Sequence, residues 1–313
     1  MNVGVRSSAG DSIRWNLARQ MGVEHVVANF PTPDDGTDPW AEQNLRSVRD
    51  DLAEHGMEFA ATESRPPMEK TVLGREGRDE EIREVKRCIR NLGALGVDVY
   101  CWVWTENPLG VLRTHHDVED RGGSVQTRYH HETMEAEGEH PAAGITEDEL
   151  WENLEHFLDE VVPVAEEAGV KLALHPDDPP IDGDIAGTAR IMTSVEAFER
   201  VVEMYPSDHN GVCLGQGNFA AMGADIPETI RRFGDDVHFV HFRDVAGPAD
   251  DFRETWHDDG PTDMRAAMDA YREIGFDGPI RPDHYPSVTA GDGDEGLKGR
   301  LFALGYVRGL MEQ

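Results

Sequence analysis

The sequence predicts one α/β domain folded as a (β/α)8 TIM barrel. Short apolar runs alternate with longer segments of helical periodicity along all 313 residues, the pattern of β/α units around a parallel sheet. The number of strand candidates is eight, which is the number that closes this type of barrel. No change in composition divides the chain, so residues 1–313 are predicted to form one domain.

The predicted strands are short apolar runs, and several contain many β-branched residues. Continuous apolar runs of this length are typical of parallel strands that are buried on both faces. They lie near residues 3–6, 24–30, 58–62, 97–103, 170–175, 211–215, 237–243 and 279–283.

The predicted helices lie between these strands and after the last one. Thr146, followed by three acidic residues, has the features of a helix N-cap, and Gly169 and Gly275 lie where helices are expected to end. The helices are expected near residues 11–21, 39–55, 78–95, 147–168, 193–204, 225–233, 262–274 and 296–311.

One connection departs from this alternation. Residues 105–144 form a long, polar, histidine-rich segment after the fourth strand. A connection of this length in a compact domain is usually functional or disordered. We interpret it as an inserted lid or subunit-contact loop, and the alternative is a solvated insertion with no specific role.

The charge balance excludes some classes of partner. The chain has 62 acidic and 29 basic residues, only four of them lysine, and a formal net charge of -33. Such a surface repels nucleic acid and anionic membranes, so neither is expected as a partner. The acidic residues lie on helical faces between apolar runs, which argues against disorder and favours a halophilic protein whose self-repulsion is screened by salt.

The cysteines and the N-terminus indicate where the protein acts. Cys88, Cys101 and Cys213 are an odd, widely spaced set, which argues against a disulfide framework and favours a reducing compartment. The N-terminus lacks the pattern of a signal peptide, and no apolar stretch is long enough to span a membrane. A soluble, cytoplasmic protein is expected.

Four neighbouring strands of the predicted barrel end in potential metal ligands. These are His175, Cys213, His241 and Asp283, from strands five to eight. Because the carboxyl ends of parallel strands meet at one rim, we predict that the four side chains bind one divalent metal ion. Their mixed donors suit Zn²⁺, Fe²⁺ or Co²⁺ as well as Mn²⁺. Considered one at a time, each of these residues could also have a purely structural role, as a buried hydrophobic cysteine or as a hydrogen-bonded histidine of the core.

Further polar residues flank these four. Asp177 and Asp178 follow His175 after one proline, and they either orient His175 and contact the substrate or form an acidic turn before two further prolines. Arg243 either binds a substrate carboxylate or forms a salt bridge with Asp244 or Asp283.

His284 directly follows Asp283, and an imidazole at that position is suited to acid/base catalysis near neutral pH. Arg6, Glu63 and His257 are additional candidates for contacts with the substrate. On sequence evidence alone, a structural role explains each of these three better than a substrate contact does.

Two runs of the sequence are specific enough to compare with known proteins: His-Pro-Asp-Asp-Pro-Pro at residues 175–180 and Arg-Pro-Asp-His at residues 281–284. Further stretches of the same kind are Thr62–Pro67, Pro163–Leu174, Arg232–Arg243 and Gly275–Ile280. Together they resemble a known family, the metal-dependent D-mannonate dehydratases with a xylose-isomerase-like barrel.

The resemblance implies dehydration of D-mannonate to 2-keto-3-deoxygluconate with a divalent metal, usually Mn²⁺. It implies that the four strand-end residues named above are the ligands and that His284 is a catalytic acid/base. The expected partner is a small-molecule sugar acid, and a homo-oligomer is expected.

The chain departs from the family's pattern on the substrate side of the pocket. The family's catalytic tyrosine between glycines corresponds to Glu295 here, and its Asp-His-Gly corresponds to Asp283-His-Tyr285. Its Cys-Thr-Gly-Ser is Cys213-Leu-Gly-Gln216, and its Tyr-Asn-Phe-Met-Pro run becomes Trp102–Pro108. We therefore name Tyr285 and Glu295 as candidates to replace the missing tyrosine.

Two alternatives stay open at this point. One is a sugar isomerase or epimerase of the same barrel type, acting on neutral sugars. The other is a non-catalytic paralogue that binds a metal and a sugar acid.

Overall fold

A computed structural model of the protein describes residues 1–105, 111–135, 144–289 and 295–312, and it describes residues 135 and 295 without their side chains. The strands in these ranges, in chain order, are β1 (Asn2–Ser7), β2 (His25–Ala28), β3 (Glu58–Thr62), β4 (Val99–Val103), β5 (His115–Glu119), β6 (Val125–His130), β7 (Lys171–His175), β8 (Asp184–Ile185), β9 (Thr188–Ala189), β10 (Asn210–Gly215), β11 (Val237–Phe242), β12 (Val245–Ala246), β13 (Asp251–Glu254) and β14 (Pro279–Pro282).

The helices in the same ranges surround the strands. In chain order they are α1 (Ser12–Gln20), α2 (Glu42–Glu54), α3 (Glu69–Val72), α4 (Arg78–Ala94), α5 (His131–Glu135), α6 (Glu147–Ala168), α7 (Val195–Met204), α8 (Gln216–Ala221), α9 (Ile226–Phe233), α10 (Met264–Glu273) and α11 (Glu295–Met311).

The predicted barrel is confirmed. Parallel strands close it in the order β1-β14-β11-β10-β7-β4-β3-β2. The pairing places Val103 beside His175, and it places His241 between Gly215 and Arg281. Polar side chains from several strands therefore reach the same level at the carboxyl end of the barrel.

The barrel interior beneath that level is thin and made mostly of small side chains, so space remains above it for polar groups. The residues of this inner layer are Val27, Ala61, Val99, Cys101, Ala173, Cys213 and Phe239. A larger apolar layer lies between the strands and the helices and forms most of the core.

Helix α6 shows how the local sequence positions a site strand. The Thr146 side chain accepts from the Glu149 backbone, and the Glu149 side chain accepts in return from the Thr146 backbone, which is a capping box. Gly169 ends the helix at φ 69°, a left-handed conformation that favours glycine. The chain then turns directly into β7, which carries His175.

The prediction of a loop at residues 105–144 was too simple. Its described part contains β5, β6 and α5, and β6 pairs with β13 in an antiparallel rim sheet of order β12-β13-β6-β5. Strand β5 is the exposed edge of this sheet. Residues 106–110 and 136–143 lie outside the described residues. No helix in the described ranges is both long and apolar enough to cross a membrane.

Candidate active site

The carboxyl ends of the barrel strands surround a cleft made of two adjoining cavities of about 190 and 270 Å³. Arg6, Arg281, Asp283 and His284 line both cavities, and His175 is among the residues that line the smaller one. Barrel enzymes carry their active sites at this end. The cleft is therefore the candidate active site.

Two buried histidines each have one engaged ring nitrogen. His175 Nδ1 lies 2.7 Å from the Pro176 carbonyl, and His241 Nε2 lies 2.9 Å from Glu63 Oε1. The carbonyl and the carboxylate can only accept a hydrogen bond, so these two ring nitrogens donate. The second nitrogen of each ring points away from that partner. Those other nitrogens, His175 Nε2 and His241 Nδ1, are buried and have no hydrogen-bond partner among the described residues.

The remaining predicted ligands lie next to these rings. The ring centroids of His175 and His241 are 4.7 Å apart, and His241 Nδ1 lies 3.6 Å from Asp283 Oδ2. The Cys213 sulfur and a donor nitrogen of His241 lie within 4.8 Å of each other. The fold thus brings the four predicted residues together around His241.

The arrangement fits a divalent metal. Unpartnered imidazole nitrogens, a thiol and a carboxylate form a donor set that transition metals accept. Glu63 would act as the carboxylate that orients a ligating histidine, a common feature of metal sites. A Cβ at Gly215 would lie 3.0 Å from His175 Nε2, so the glycine keeps the space beside this nitrogen open.

Charge inside the site alters the acidity of both histidines. Burial, together with the nearby charge of His241, lowers the pKa of His175 to about 3, so this ring is neutral. Burial and Arg281 oppose a charged His241, but its other neighbours, the Glu63 carboxylate first among them, raise its pKa overall. A metal ion at His241 Nδ1 would therefore replace a proton.

His284 lies beside Asp283 at the border of the two cavities. Its Nδ1 is 3.5 Å from Glu254 Oε1, and its Nε2 is 3.6 Å from Asp283 Oδ2 and 4.0 Å from Asp178 Oδ2. Its φ of 43° is an uncommon conformation for a residue other than glycine, and such backbone outliers cluster at functional sites.

Arg243 belongs to a buried charge network and does not line either cavity. Its guanidinium donates to Glu254 at 3.0 Å and to Asp178 at 3.0 Å, and Arg113 from the inserted segment binds the same two carboxylates. Of the two roles that the sequence left open for Arg243, these contacts show the structural ion pairs. Of its two predicted ion-pair partners, Asp283 is confirmed, with Oδ2 3.7 Å from Arg243 Nε, whereas Asp244 accepts from Thr262 instead.

Asp177 and His257 also differ from their predicted position against the substrate. Asp177 accepts from the Met192 backbone at 3.0 Å and pairs with Arg190 at 3.2 Å, which fixes it behind the site. His257 is fully buried, and burial lowers its pKa to about 4. Neither residue lines the two cavities.

Arg6 does reach the cleft. Its side chain is 52% exposed, lines both cavities and pairs with Glu63 at 3.2 Å. An exposed guanidinium at this position can contact an anionic substrate.

Tyr285 lines the larger cavity, where its hydroxyl accepts a hydrogen bond of 2.7 Å from Arg300 Nε. Arg300 also donates to the Arg6 carbonyl at 3.0 Å. Glu295 begins α11, but its side chain lies outside the described structure. Of the two candidates to replace the family's tyrosine, only Tyr285 can therefore be located in the cleft.

Sequence reasoning missed several members of the site. Arg281 pairs with Glu63 at 3.0 Å and with Asp283 at 2.7 Å, and its spacing of two residues from Asp283 was an available signal. Cys101 lines the smaller cavity from the middle of an apolar strand. Glu254 and Arg113 come from the rim sheet and the inserted segment, whose pairing the sequence does not indicate.

Comparisons with known proteins agree in pointing to one family. The chain matches the family model described as D-mannonate dehydratase (UxuA) over residues 1–142 and 141–313. Mannonate dehydratase 2 of Halalkalibacterium halodurans is 32% identical over 305 residues, which cover 87% of each chain.

Solved structures give the same picture. The mannonate dehydratase of Streptococcus suis serotype 2 aligns with 100% of this chain and 94% of its own, at 29% identity and a TM-score of 0.90. A xylose isomerase domain protein from Planctomyces limnophilus shares the fold at 17% identity and a TM-score of 0.61, covering 99% and 96% of the two chains.

Proposed function

Because the chain belongs to the D-mannonate dehydratase family, we propose that it converts D-mannonate or a closely related sugar acid into a 2-keto-3-deoxy sugar acid and water. Family membership makes it a sugar-acid dehydratase, which is a carbon–oxygen lyase. The same membership favours this activity over the isomerase or epimerase alternative.

One observation carries the assignment of the site. His175 Nε2 and His241 Nδ1 are buried without hydrogen-bond partners among the described residues, next to Asp283 and Cys213. Unpartnered buried nitrogens are costly unless a ligand satisfies them. This observation supports a divalent metal at the end of the barrel, with His284 beside it.

The metal ligands are His175, Cys213, His241 and Asp283 in this proposal, and Mn²⁺ is the native ion. The mixed donor set also allows Fe²⁺, Co²⁺ or Zn²⁺. When bound, the ion would supply positive charge that stabilises the negative charge developing on the sugar acid as its C2 proton leaves.

The other residues bind the substrate and move protons. His284 exchanges a proton with the substrate, and Arg243 positions the Glu254 and Asp178 carboxylates beside it. Arg6 contributes positive charge toward the acid group. Tyr285, or alternatively Glu295, takes the place of the tyrosine that the family has at this site.

Three properties of the whole molecule belong to the proposal. The net charge of -33 supports adaptation to high salt, and the three unpaired, buried cysteines support a reducing cytoplasm. The exposed edge strand β5 supports a role of the inserted segment as a lid or as a subunit contact in a homo-oligomer.

A substrate screen tests the activity. The purified protein is incubated in molar salt with Mn²⁺ and a panel of hexonates and pentonates, and keto-deoxy acids are measured. We expect product from at least one acid, loss of turnover in His284→Ala, and unchanged metal content in that variant. Absence of product with every acid would defeat the proposal, and so would ketose formation from an aldose as the main reaction.

A further inference from the structure

The floor of the smaller cavity contains a cluster of soft metal donors. The sulfurs of Cys101 and Cys213 and a ring nitrogen of His241 all lie within 4.8 Å of one another. Cys213 and His241 belong to the ligand set proposed above, whereas Cys101 does not. Cys101 comes from β4, on the other side of β7 from the strand that carries Cys213.

We propose that Cys101, Cys213 and His241 form a second metal site, overlapping the first, that takes soft or borderline cations such as Zn²⁺, Co²⁺ and Cd²⁺. Thiolate sulfur prefers these ions, whereas Mn²⁺ prefers oxygen and nitrogen donors. The proposal shares two residues with the proposed dehydratase site, but it does not depend on the reaction that the site catalyses.

The distances are close to those that such an ion requires. With Zn–S bonds of about 2.3 Å, two thiolates on a tetrahedral zinc ion lie about 3.8 Å apart. A thiolate and an imidazole nitrogen on the same ion lie about 3.6 Å apart. Because the three donor atoms lie within 4.8 Å of one another, the side chains need to move by at most about 1.2 Å to reach these separations.

The apolar residues around the two cysteines favour binding of a divalent cation by two thiolates over binding by one. Val27, Ala61, Val99 and Phe239 form the apolar layer around the two cysteines. An isolated charge is costly in such a place, but a divalent cation with two thiolates has no net charge. Binding would release the two thiol protons to solvent.

A disulfide is a poor alternative for this pair. Strand β7 separates β4 from β10, and two interstrand spacings place the two backbones about 9 to 10 Å apart. Cysteines whose Cα atoms are more than about 7 Å apart cannot form a disulfide without backbone movement. The two thiols therefore face each other at a distance that a metal ion can span.

Cobalt absorption tests the proposal. Co²⁺ is titrated into the metal-free, full-length protein in molar salt, and the near-ultraviolet band from thiolate-to-cobalt charge transfer is recorded. We expect Cys101→Ser to reduce the band to about half, because one of two thiolate ligands is lost. Cys88→Ser is the matched control, since Cys88 is also buried but lies on α4, and it should leave the band unchanged.

An unchanged band in Cys101→Ser would overturn the proposal. If that variant does not fold, zinc X-ray absorption of the unmodified protein decides: two sulfur neighbours support the site, and one sulfur neighbour overturns it. These results are independent of turnover. If the protein dehydrates no sugar acid but binds zinc through two sulfurs, the second site is supported and the proposed activity is not. If the protein is an active dehydratase whose zinc has one sulfur neighbour, the second site is contradicted and the activity stands.

Discussion

Replacing Glu63 by glutamine should weaken metal binding without removing any proposed ligand. Glu63 Oε1 accepts from His241 Nε2 at 2.9 Å, and Glu63 Oε2 accepts from Arg281 Nη2 at 3.0 Å. Although burial opposes ionisation, Arg281 and His241 hold the pKa of Glu63 far below its ordinary value. The carboxylate is therefore charged at any working pH and fixes the orientation of the His241 ring.

The expected effect follows from this hydrogen bond. Loss of a carboxylate that orients a ligating histidine typically lowers metal affinity about 10- to 100-fold, or about 1.4 to 2.7 kcal/mol. The variant should also lose about 1 to 3 kcal/mol of folding stability, because the buried Arg281 then keeps Asp283 alone of its two charged partners in the described ranges. Both losses share one cause, the missing negative charge.

The assay is the dissociation constant of Mn²⁺, measured by competition with a chelator at molar salt. Glu58→Gln is the matched control: Glu58 begins β3, the strand that Glu63 directly follows, and its carboxylate is exposed and lies 3.4 Å from His25. We expect the control to bind Mn²⁺ like the unmodified protein. If Glu63→Gln binds Mn²⁺ as tightly as the control does, Glu63 does not orient a ligand and the reasoning fails.

Three further predictions concern stability. Gly93→Ala should destabilise the fold by about 1 to 3 kcal/mol, because the new Cβ would lie 2.3 Å from the Ala168 carbonyl oxygen. Gly305→Ala is the control, since no atom lies within 4 Å of a Cβ at that position. Urea unfolding measures both variants, and equal midpoints would contradict the prediction. Burial lowers the pKa of His238 to about 4, so stability should fall as pH drops from about 6.5 to 4, while the unfolded chain takes up a proton that the folded chain excludes. Between pH 7 and 5, the unfolding midpoint of His238→Gln should change less than that of the unmodified protein. An equal change in the two proteins would refute the prediction. Lowering the salt concentration from about 1 M to 0.1 M lengthens the screening length from about 3 to 10 Å. Because the net charge is -33, the acidic residues then repel one another over a longer range, and the melting temperature should fall by several degrees. A constant melting temperature would argue against adaptation to salt.

The barrel could be predicted from the sequence because its strands are buried. Each barrel strand is an apolar run, and the predicted and observed bounds differ by at most two residues. The rim sheet was missed for the opposite reason. Strand β5 has the sequence His-His-Asp-Val-Glu and is largely exposed, so it has no apolar pattern that distinguishes it from a loop.

The candidate site divides in a similar way. Strand-end side chains such as His175 and His241 could be located, because strand order fixes where they meet. Their hydrogen-bond partners could not, since Glu63 lies 178 residues from His241 in sequence. Cys101 lies within the apolar run of β4, where nothing in the sequence marks it as a ligand, and the closed barrel shows that it lies near Cys213.

The placement of charge explains how an acidic protein can bind an acidic substrate. A net charge of -33 repels a sugar-acid anion in dilute buffer, but in molar salt this repulsion is screened within about 3 Å. Inside the cleft, Arg6, Arg281 and Arg300 line one cavity, and among the described side chains Asp283 is the carboxylate that lines it with them. Direct contacts with these guanidinium groups act at hydrogen-bond distance, where salt screens them least. High salt therefore removes the long-range repulsion and leaves the short-range attraction that the proposed reaction requires.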